Sequence, residues 1–289
     1  MDSSNTTIIY DQMDVSNMCA AIGFIGAGKM AEALIGGLLS KGVFGVDEII
    51  ACAPSKGTRL RISKEYGIKM YDSAKDLVPK CDLVVLAVKP AQVSALFEEE
   101  GTKIGAGKIV VSIVAGLSIG KLKSYVPDAK VVRVMPNHCC MVHEGAMGYT
   151  CDNRMTAAEK ESIVKILGSV GLAIEVPETY IDAITGIAGS SPAFIYMVID
   201  AMADAGVLNG LSRRDSVILA SQSVLGAAKM VLDTGKHPDV LRDEVCSPGG
   251  TTIEGVRILE EMGLRSAVIS AVDGTIEKSR RMSQSATDV

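Results

Sequence analysis

Ala20-Ala21-Ile22-Gly23-Phe24-Ile25-Gly26-Ala27-Gly28-Lys29-Met30-Ala31 is the stretch that decides the fold. Ala20 to Ile25 is a short apolar run of strand type, and Ala33-Leu34-Ile35-Gly36-Gly37-Leu38-Leu39 behind it is an apolar helical pattern. The junction reads G-x-G-x-x-A, the alanine variant of the dinucleotide fingerprint at a strand-to-helix turn. In it Gly26 makes the tight turn, Gly28 lets a pyrophosphate approach the backbone, and Ala31 lets the helix lie close on the strand. A glycine-rich turn with no ligand is the alternative reading.

The next apolar run, Glu48-Ile49-Ile50-Ala51-Cys52-Ala53, bears on which dinucleotide is bound. NAD sites place an acidic residue about 20 residues beyond the glycines, to hold the ribose 2′-hydroxyl. Here the strand runs out into Cys52-Ala53-Pro54-Ser55-Lys56, with Arg59 close behind and no carboxylate. The missing acid, together with Ser55, Lys56 and Arg59, suits a 2′-phosphate and favours NADPH. Lys56 and Arg59 read equally well as a solvated helix face, so the absent acid carries more of this inference.

Through Val176 the sequence alternates short apolar runs with helical patterns, as a parallel sheet with crossover helices does. The expected strands are Ala21–Ile25, Ile49–Ala53, Leu83–Ala87, Ile109–Ile113, Lys130–Met135, Gly145–Thr150 and Ala173–Val176. In an open α/β sheet ligands lie beyond the carboxyl ends of the strands. The endings Ala87-Val88-Lys89-Pro90 and Val114-Ala115-Gly116 are therefore expected to line the cofactor cleft near the nicotinamide half. Beyond Glu178 helices rich in small residues take over, expected at Ile181–Ala188, Pro192–Val207, Arg213–Asp233, Pro238–Val245, Thr252–Glu261 and Leu264–Met282. Ser212 stands where an N-cap belongs, and His237-Pro238 marks a helix start. The fold class is α/β: an N-terminal Rossmann (doubly wound) dinucleotide-binding domain over residues 19–177, then an all-helical dimerisation and substrate-binding domain over 178–289.

Dimerisation is inferred from Val217-Ile218-Leu219-Ala220-Ser221-Gln222-Ser223-Val224-Leu225-Gly226-Ala227-Ala228, which is apolar around most of its circumference. Such a helix is buried within a domain or against a partner. The roughly 110 residues after the boundary are too few to bury it on both sides.

A second anion site is expected at Ser247-Pro248-Gly249-Gly250-Thr251-Thr252, which runs straight into the helical pattern Ile253-Glu254-Gly255-Val256-Arg257. The glycines let the backbone turn and leave amide hydrogens exposed at a helix start. With the helix dipole behind them, those N–H groups suit a carboxylate. An ordinary capped turn is the alternative.

Composition narrows the partners. The chain has 289 residues, 48% of them hydrophobic and 22% charged, with a formal net charge of -5. No basic stretch interleaves with aromatics, so nucleic acid is not an expected partner. No apolar segment is expected to approach the ~20 residues of a membrane span. Met1 to Met18 carry aspartates and no Lys or Arg, unlike a secretory signal or a transit peptide. They read as a flexible tail of a cytoplasmic protein. The seven cysteines include no C-x-x-C pair, and the odd count argues against a disulfide framework. His138-Cys139-Cys140 with His143 matches no standard zinc spacing, and no metal is expected.

Taken in order, Gly23-Phe24-Ile25-Gly26-Ala27-Gly28-Lys29-Met30-Ala31, Ala87-Val88-Lys89-Pro90, Met135-Pro136-Asn137, Asp182-Ala183-Ile184-Thr185-Gly186 and Ser247 to Thr252 resemble pyrroline-5-carboxylate reductase. The match runs from about Met18 to Met282. The glycine fingerprint is common to many enzymes, whereas the S-P-G-G-T-T element is highly specific. The resemblance implies reduction of the cyclic imine to L-proline with NADPH or NADH, the last step of proline biosynthesis. It implies a homodimer that assembles into a decamer, with an active site built from both subunits. By position, it gives Gly26, Ala27, Gly28, Lys29 and Met30 to the pyrophosphate, and Ala53 and Ser55 to the adenosine ribose. Ala87, Val88, Lys89 and Pro90 with Val114, Ala115 and Gly116 go to the second ribose and the nicotinamide. Ser247, Gly249, Gly250 and Thr251 would hold the substrate carboxylate, and the Thr252 hydroxyl would meet the ring nitrogen. Two departures stand out: Ala188-Gly189-Ser190-Ser191-Pro192-Ala193-Phe194 where the family usually has Ser-Gly-Ser-Gly-Pro-Ala-Tyr, and His138-Cys139 where it usually has Thr-Pro.

The chemistry points the same way. Carbonyl reduction needs an acid to protonate an alkoxide as hydride arrives. The similar β-hydroxyacid dehydrogenases carry a catalytic lysine on the long helix after the cofactor domain, and Gly186 to Tyr196 contain none. An iminium becomes a neutral amine and needs no strong acid at that moment, so positioning and one hydrogen bond suffice. Tyr196 is the competing acid. A related imine or β-hydroxyacid reductase, and a non-catalytic NADPH-binding regulator, remain the alternatives at this point.

Overall fold

The computed structural model describes residues 21–99 and 101–285. The expected flexible tail, Met1 to Met18, lies outside the described residues. Among those described, the chain forms two compact units, residues 21–189 with 276–285, and residues 190–275.

The first unit is built on an eight-stranded sheet: β1 Ile22–Ile25, β2 Ile49–Cys52, β3 Lys69–Tyr71, β4 Leu83–Leu86, β5 Ile109–Ser112, β6 Lys130–Met135, β7 Gly145–Cys151 and β8 Gly171–Glu175. Its spatial order is β3-β2-β1-β4-β5-β6-β7-β8. All neighbours are parallel except β6 and β7. The order reverses between β1 and β4, the topological switch point of a doubly wound sheet and the usual place for a ligand. Helices α1 Lys29–Ser40, α2 Lys56–Tyr66, α3 Ala74–Leu77, α4 Ile119–Tyr125 and α5 Ala157–Gly168 connect the strands.

Period-2 alternation divides the core between the sheet's two faces. Ile22, Phe24, Val85 and Val111 pack with Ile35 and Leu38 on one side. Ile25, Val84, Leu86 and Val110 pack with Leu77 and Leu122 on the other. Strands β1, β2, β4 and β5 are buried along their whole length, which is why they read as unbroken apolar runs. Edge strand β3 escaped the sequence reading because Lys69-Met70-Tyr71 is short and partly exposed.

Beyond β7 a buried carboxylate ties the connections together. Asp152 accepts from the Arg154 backbone N–H at 3.0 Å, from Arg154 Nε at 2.9 Å and from Lys123 Nζ at 3.1 Å. Arg154 also donates to the carbonyls of Pro127 and Ala129. Burial alone would push the Asp152 carboxyl up, but these hydrogen bonds and charges hold it down at about 2.

After β8 the chain turns into α6 Ile181–Ile184, a π-helical turn over Thr185–Gly189, α7 Ser191–Leu208, α8 Arg213–Thr234, α9 Pro238–Glu244, α10 Thr251–Glu261 and α11 Leu264–Ser285. Ser212 caps α8 by accepting from Asp215 N–H at 3.1 Å. Two segments, Glu178–Leu208 and Arg213–Thr234, are long and apolar enough by length and composition to cross a membrane. That corrects the sequence expectation, which sought one unbroken apolar run. Here Asp200 and Asp204, or Ser221, Gln222 and Ser223, are spread among many Ala, Ile, Leu, Val and Met residues, so length and hydropathy together reach the threshold. Few residues of either segment are buried within the chain.

Candidate functional site

The glycine turn sits at the carboxyl edge of β1, against the end of β4. Gly26 has φ +99°, a conformation that L side chains rarely adopt, and a Cβ there would lie 2.6 Å from the Ala87 carbonyl oxygen. Its N–H donates to the Cys52 carbonyl at 3.1 Å, and the Ala87 N–H donates to the Ile25 carbonyl at 2.9 Å. This one turn therefore brings Gly26, Ala87 and Val88 together at the switch point.

Gly28 is the N-cap of α1 and has no side-chain cap. A Cβ at Gly28 would meet no protein atom within 4 Å, so packing within this chain does not require glycine here. The remaining requirement is close approach of a ligand to a helix N-terminus, where uncapped N–H groups and the dipole favour an anion. These residues fit a dinucleotide pyrophosphate. Ala27 and Ala31 are buried under the turn, Met30 is half-buried and Lys29 is exposed.

At the end of β2, Ala53 is buried and Ser55 caps α2, accepting from Thr58 N–H at 3.4 Å. Arg59 Nη1 donates to the carbonyls of Ala53 and Pro54, both at 2.7 Å. Its guanidinium thus closes over the end of β2, and exposed Lys56 begins α2. Beyond β4, the Lys89 N–H donates to Gln92 Oε1 at 3.1 Å, and Pro90 opens a short 3-10 turn. Beyond β5, the Val114 N–H donates to the buried Ser112 Oγ at 3.3 Å, Ala115 is exposed, and Gly116 turns the chain at φ +76°.

In the helical unit, the Gly250 N–H donates to the Ser247 carbonyl at 3.0 Å, closing a turn through Gly249 at φ +67°. A Cβ at Gly250 would lie 2.3 Å from Ser247 Oγ. Gly250 is the N-cap of α10 and carries no side-chain cap, and Thr251 and Thr252 are exposed on the first helical turn. Nearby Glu254 is engaged by Arg257 at 2.7 Å, and that bond lowers its pKa, so its charge is matched locally.

Comparisons with known proteins identify the family. Residues 178–282 match the model of pyrroline-5-carboxylate reductase dimerisation, and residues 21–116 match that of NADP oxidoreductase, coenzyme F420-dependent. The pyrroline-5-carboxylate reductase of Escherichia coli (strain K12) is 40% identical over 265 residues, covering 91% of this chain and 98% of that one. The chain belongs to the pyrroline-5-carboxylate reductase family. Among solved structures, the reductase of Coxiella burnetii superposes with TM-score 0.85 at 30% identity, over 91% of this chain and 98% of that one. That of Plasmodium falciparum, solved with NADP bound, has TM-score 0.81 at 33% identity, over 91% of this chain and 98% of that one.

Other features of this reductase-family chain emerge only in three dimensions. Asn137 is buried after β6; its Nδ2 donates to the Ala188 carbonyl at 3.1 Å and its Oδ1 accepts from the Ala146 N–H at 3.2 Å. It thereby fixes the π-helical turn to the start of β7. Buried Arg133 meets Glu178 at 2.9 Å. A lone charge inside the apolar run Val131-Val132-Arg133-Val134 was the available sequence signal. Tyr196 is half-exposed on α7. Among the described residues no group of three or more His, Cys, Asp or Glu is placed to hold a metal. Cys140 is buried, which pushes its thiol up, and burial likewise pushes Cys151 up to about 11.

Proposed function

We propose that this chain reduces 1-pyrroline-5-carboxylate to L-proline with NADPH, the last step of proline biosynthesis, and that NADH can serve as a second donor. The reading rests on one joint observation. A chain related to these reductases over 91% of its length carries both an uncapped glycine turn at the switch point and an uncapped, glycine-bent helix start at Ser247 to Thr252. Bound NADPH supplies a hydride to the imine carbon.

Everything else falls to the chain's own groups. The backbone from Gly26 to Met30, with the α1 dipole behind it, takes the pyrophosphate. Ala53, Ser55, Lys56 and Arg59 take the adenosine ribose and its 2′-phosphate. Ala87, Val88, Lys89, Pro90, Val114, Ala115 and Gly116 line the ribose and nicotinamide. Ser247, Gly249, Gly250 and Thr251 hold the substrate carboxylate through N–H and hydroxyl groups at the start of α10. The Thr252 hydroxyl hydrogen-bonds the ring nitrogen and orients the C=N bond. The substrate reacts as its iminium, whose nitrogen already carries the proton, so hydride addition at carbon gives a neutral amine and catalysis needs aligned reactants more than a strong acid.

The cofactor role belongs to residues 19–177 and the substrate role to residues 178–289. The chain forms a homodimer through its helical region, and the dimers assemble into a decamer in the cytoplasm. Loss of NADPH absorbance with 1-pyrroline-5-carboxylate, and none with hydroxyacid-forming ketoacids, is the expected result. No turnover of the imine at any pH would remove this reading.

A further inference from the structure

Glu178 is not among the residues named above as touching cofactor or substrate, yet it joins three elements at the carboxyl edge of the sheet. Its Oε1 accepts from Arg133 Nη1 at 2.9 Å and from the Ile119 N–H at 2.7 Å. Arg133 lies on β6 directly beside Ser112, the last residue of β5, and its side chain is 9% exposed. Ile119 is the first residue of α4, and its N–H is one that no intrahelical partner can satisfy. Ser118 accepts from Lys121 N–H at 3.1 Å, so the two side chains satisfy different orphan donors of the same helix start.

Between β5 and α4 runs the turn from Val114 to Ser118, the segment given above to the nicotinamide. One end is held by the Ser112 hydroxyl on Val114 N–H. The other is held by Glu178 on Ile119 N–H, and Glu178 is itself held by a buried guanidinium. We propose that Glu178, locked by Arg133, is a positioning residue for hydride transfer, fixing the backbone against which the nicotinamide rests. This inference rests on the reductase reading.

The physical argument concerns distance. Hydride transfer requires reacting atoms roughly 3–3.5 Å apart, and small misplacements cost large factors in rate. Val114 and Leu117 seat their side chains in the core, while Ala115 is exposed and Gly116 is at positive φ, so the backbone between them takes its exact place from the hydrogen bonds at its two ends. A carboxylate that accepts from a cation and a backbone N–H at once is a stiffer anchor than either bond alone.

Glu178→Ala tests this in the full-length oligomer, with Glu178→Gln and Arg133→Lys as conservative partners. Glu178→Ala should raise the KM for NADPH and lower kcat, each on the order of tenfold, and leave the KM for 1-pyrroline-5-carboxylate within about twofold. The deuterium isotope effect on kcat with 4-deuterated NADPH should rise, because hydride transfer becomes slower than product release. Glu178→Gln and Arg133→Lys should shift the same constants in the same direction by about two- to fivefold. If the folded variants lose melting temperature but keep wild-type KM, kcat and isotope effect, the pair is merely structural and the inference is overturned. Should Glu178→Ala fail to fold, the two conservative variants decide by the same constants. Should the wild-type protein not turn over the imine, the reductase reading fails first. NADPH dissociation constants by fluorescence then test the anchor alone: weaker in the variants supports it, equal overturns it.

Discussion

Strands β1 and β4 in one unit and helices α7 and α8 in the other are both rich in apolar residues, yet they meet opposite fates. Every residue of β1 and β4 is buried by the chain's own helices. On α8, Leu219 is 59% exposed, Leu225 57% and Leu232 74%. On α7, Met197 is 73% exposed and only Pro192 and Ala203 are buried. A parallel sheet wrapped on both faces completes its own core, whereas a helical pair has too little chain around it to do so. Apolar surface of that extent signals an interaction site. The match to a dimerisation model over residues 178–282 gives this surface its natural cover, a second copy.

The sharpest way to break the comparison is to strike each half where its function is exposed. A Cβ at Gly28 meets no protein atom within 4 Å, so Gly28→Leu should keep its melting temperature while NADPH affinity falls by at least about a thousandfold, since the pyrophosphate loses its helix N-terminus. Calorimetric titration and a thermal melt read the two outcomes separately, and retained tight binding would refute the fingerprint. Gly26→Val is the control: strain at positive φ and a 2.6 Å contact with the Ala87 carbonyl should lower stability as well.

On the other half, Leu219→Glu with Leu225→Glu should weaken the dimer. Each buried leucine contributes roughly 1.5–3 kcal/mol, so losing two from each copy raises the dimer dissociation constant on the order of ten-thousandfold or more. Sedimentation at micromolar concentration is the measurement. An unchanged dimer would mean that another face of the helical unit does the pairing.

Thr252→Ala is a subtler stroke. Loss of one charge-assisted hydrogen bond is worth about 1.5–3 kcal/mol, which lowers kcat roughly ten- to hundredfold with NADPH binding almost intact. Unaltered steady-state kinetics would show that Thr252 does not touch the reacting nitrogen.

The smallest effect lies in the sheet unit. Asp152 is held at about 2, below its ordinary 3.8, so the folded state binds this proton less readily than the unfolded one. The stability it contributes is present above about pH 4 and is lost as pH falls toward 2. Asp152→Asn should lower the unfolding free energy at pH 7 by roughly 2 kcal/mol, and the gap to the wild-type chain should close between pH 4 and pH 2. Urea titrations at several pH values measure it, and a gap independent of pH would reject the linkage.

What the sequence by itself determined follows from local rules. The G-x-G-x-x-A turn, the apolar strands through Val134 and the caps at Ser212 and His237 were legible, because periodicity, glycine placement and capping act within a few residues. Boundaries came close: Lys130–Met135 is β6 to the residue, and β1 begins one residue later than expected. Local rules also showed α8 to be too apolar for one small domain, without saying which of its residues face α7.

Tertiary structure alone decided the rest. Ser112 and Arg133 are side by side because β5 and β6 share a register, and Glu178 reaches Ile119 across a gap of 59 residues in sequence. Asn137 meets Ala188 in the same way. β3 is a strand only because β2 offers it an edge, and the turn after Ile184 is π-helical where the pattern suggested one continuous helix. The physical reason is common to all of these. Pairings between distant residues are set by how the layers close around the core, and no window of neighbouring residues carries that geometry.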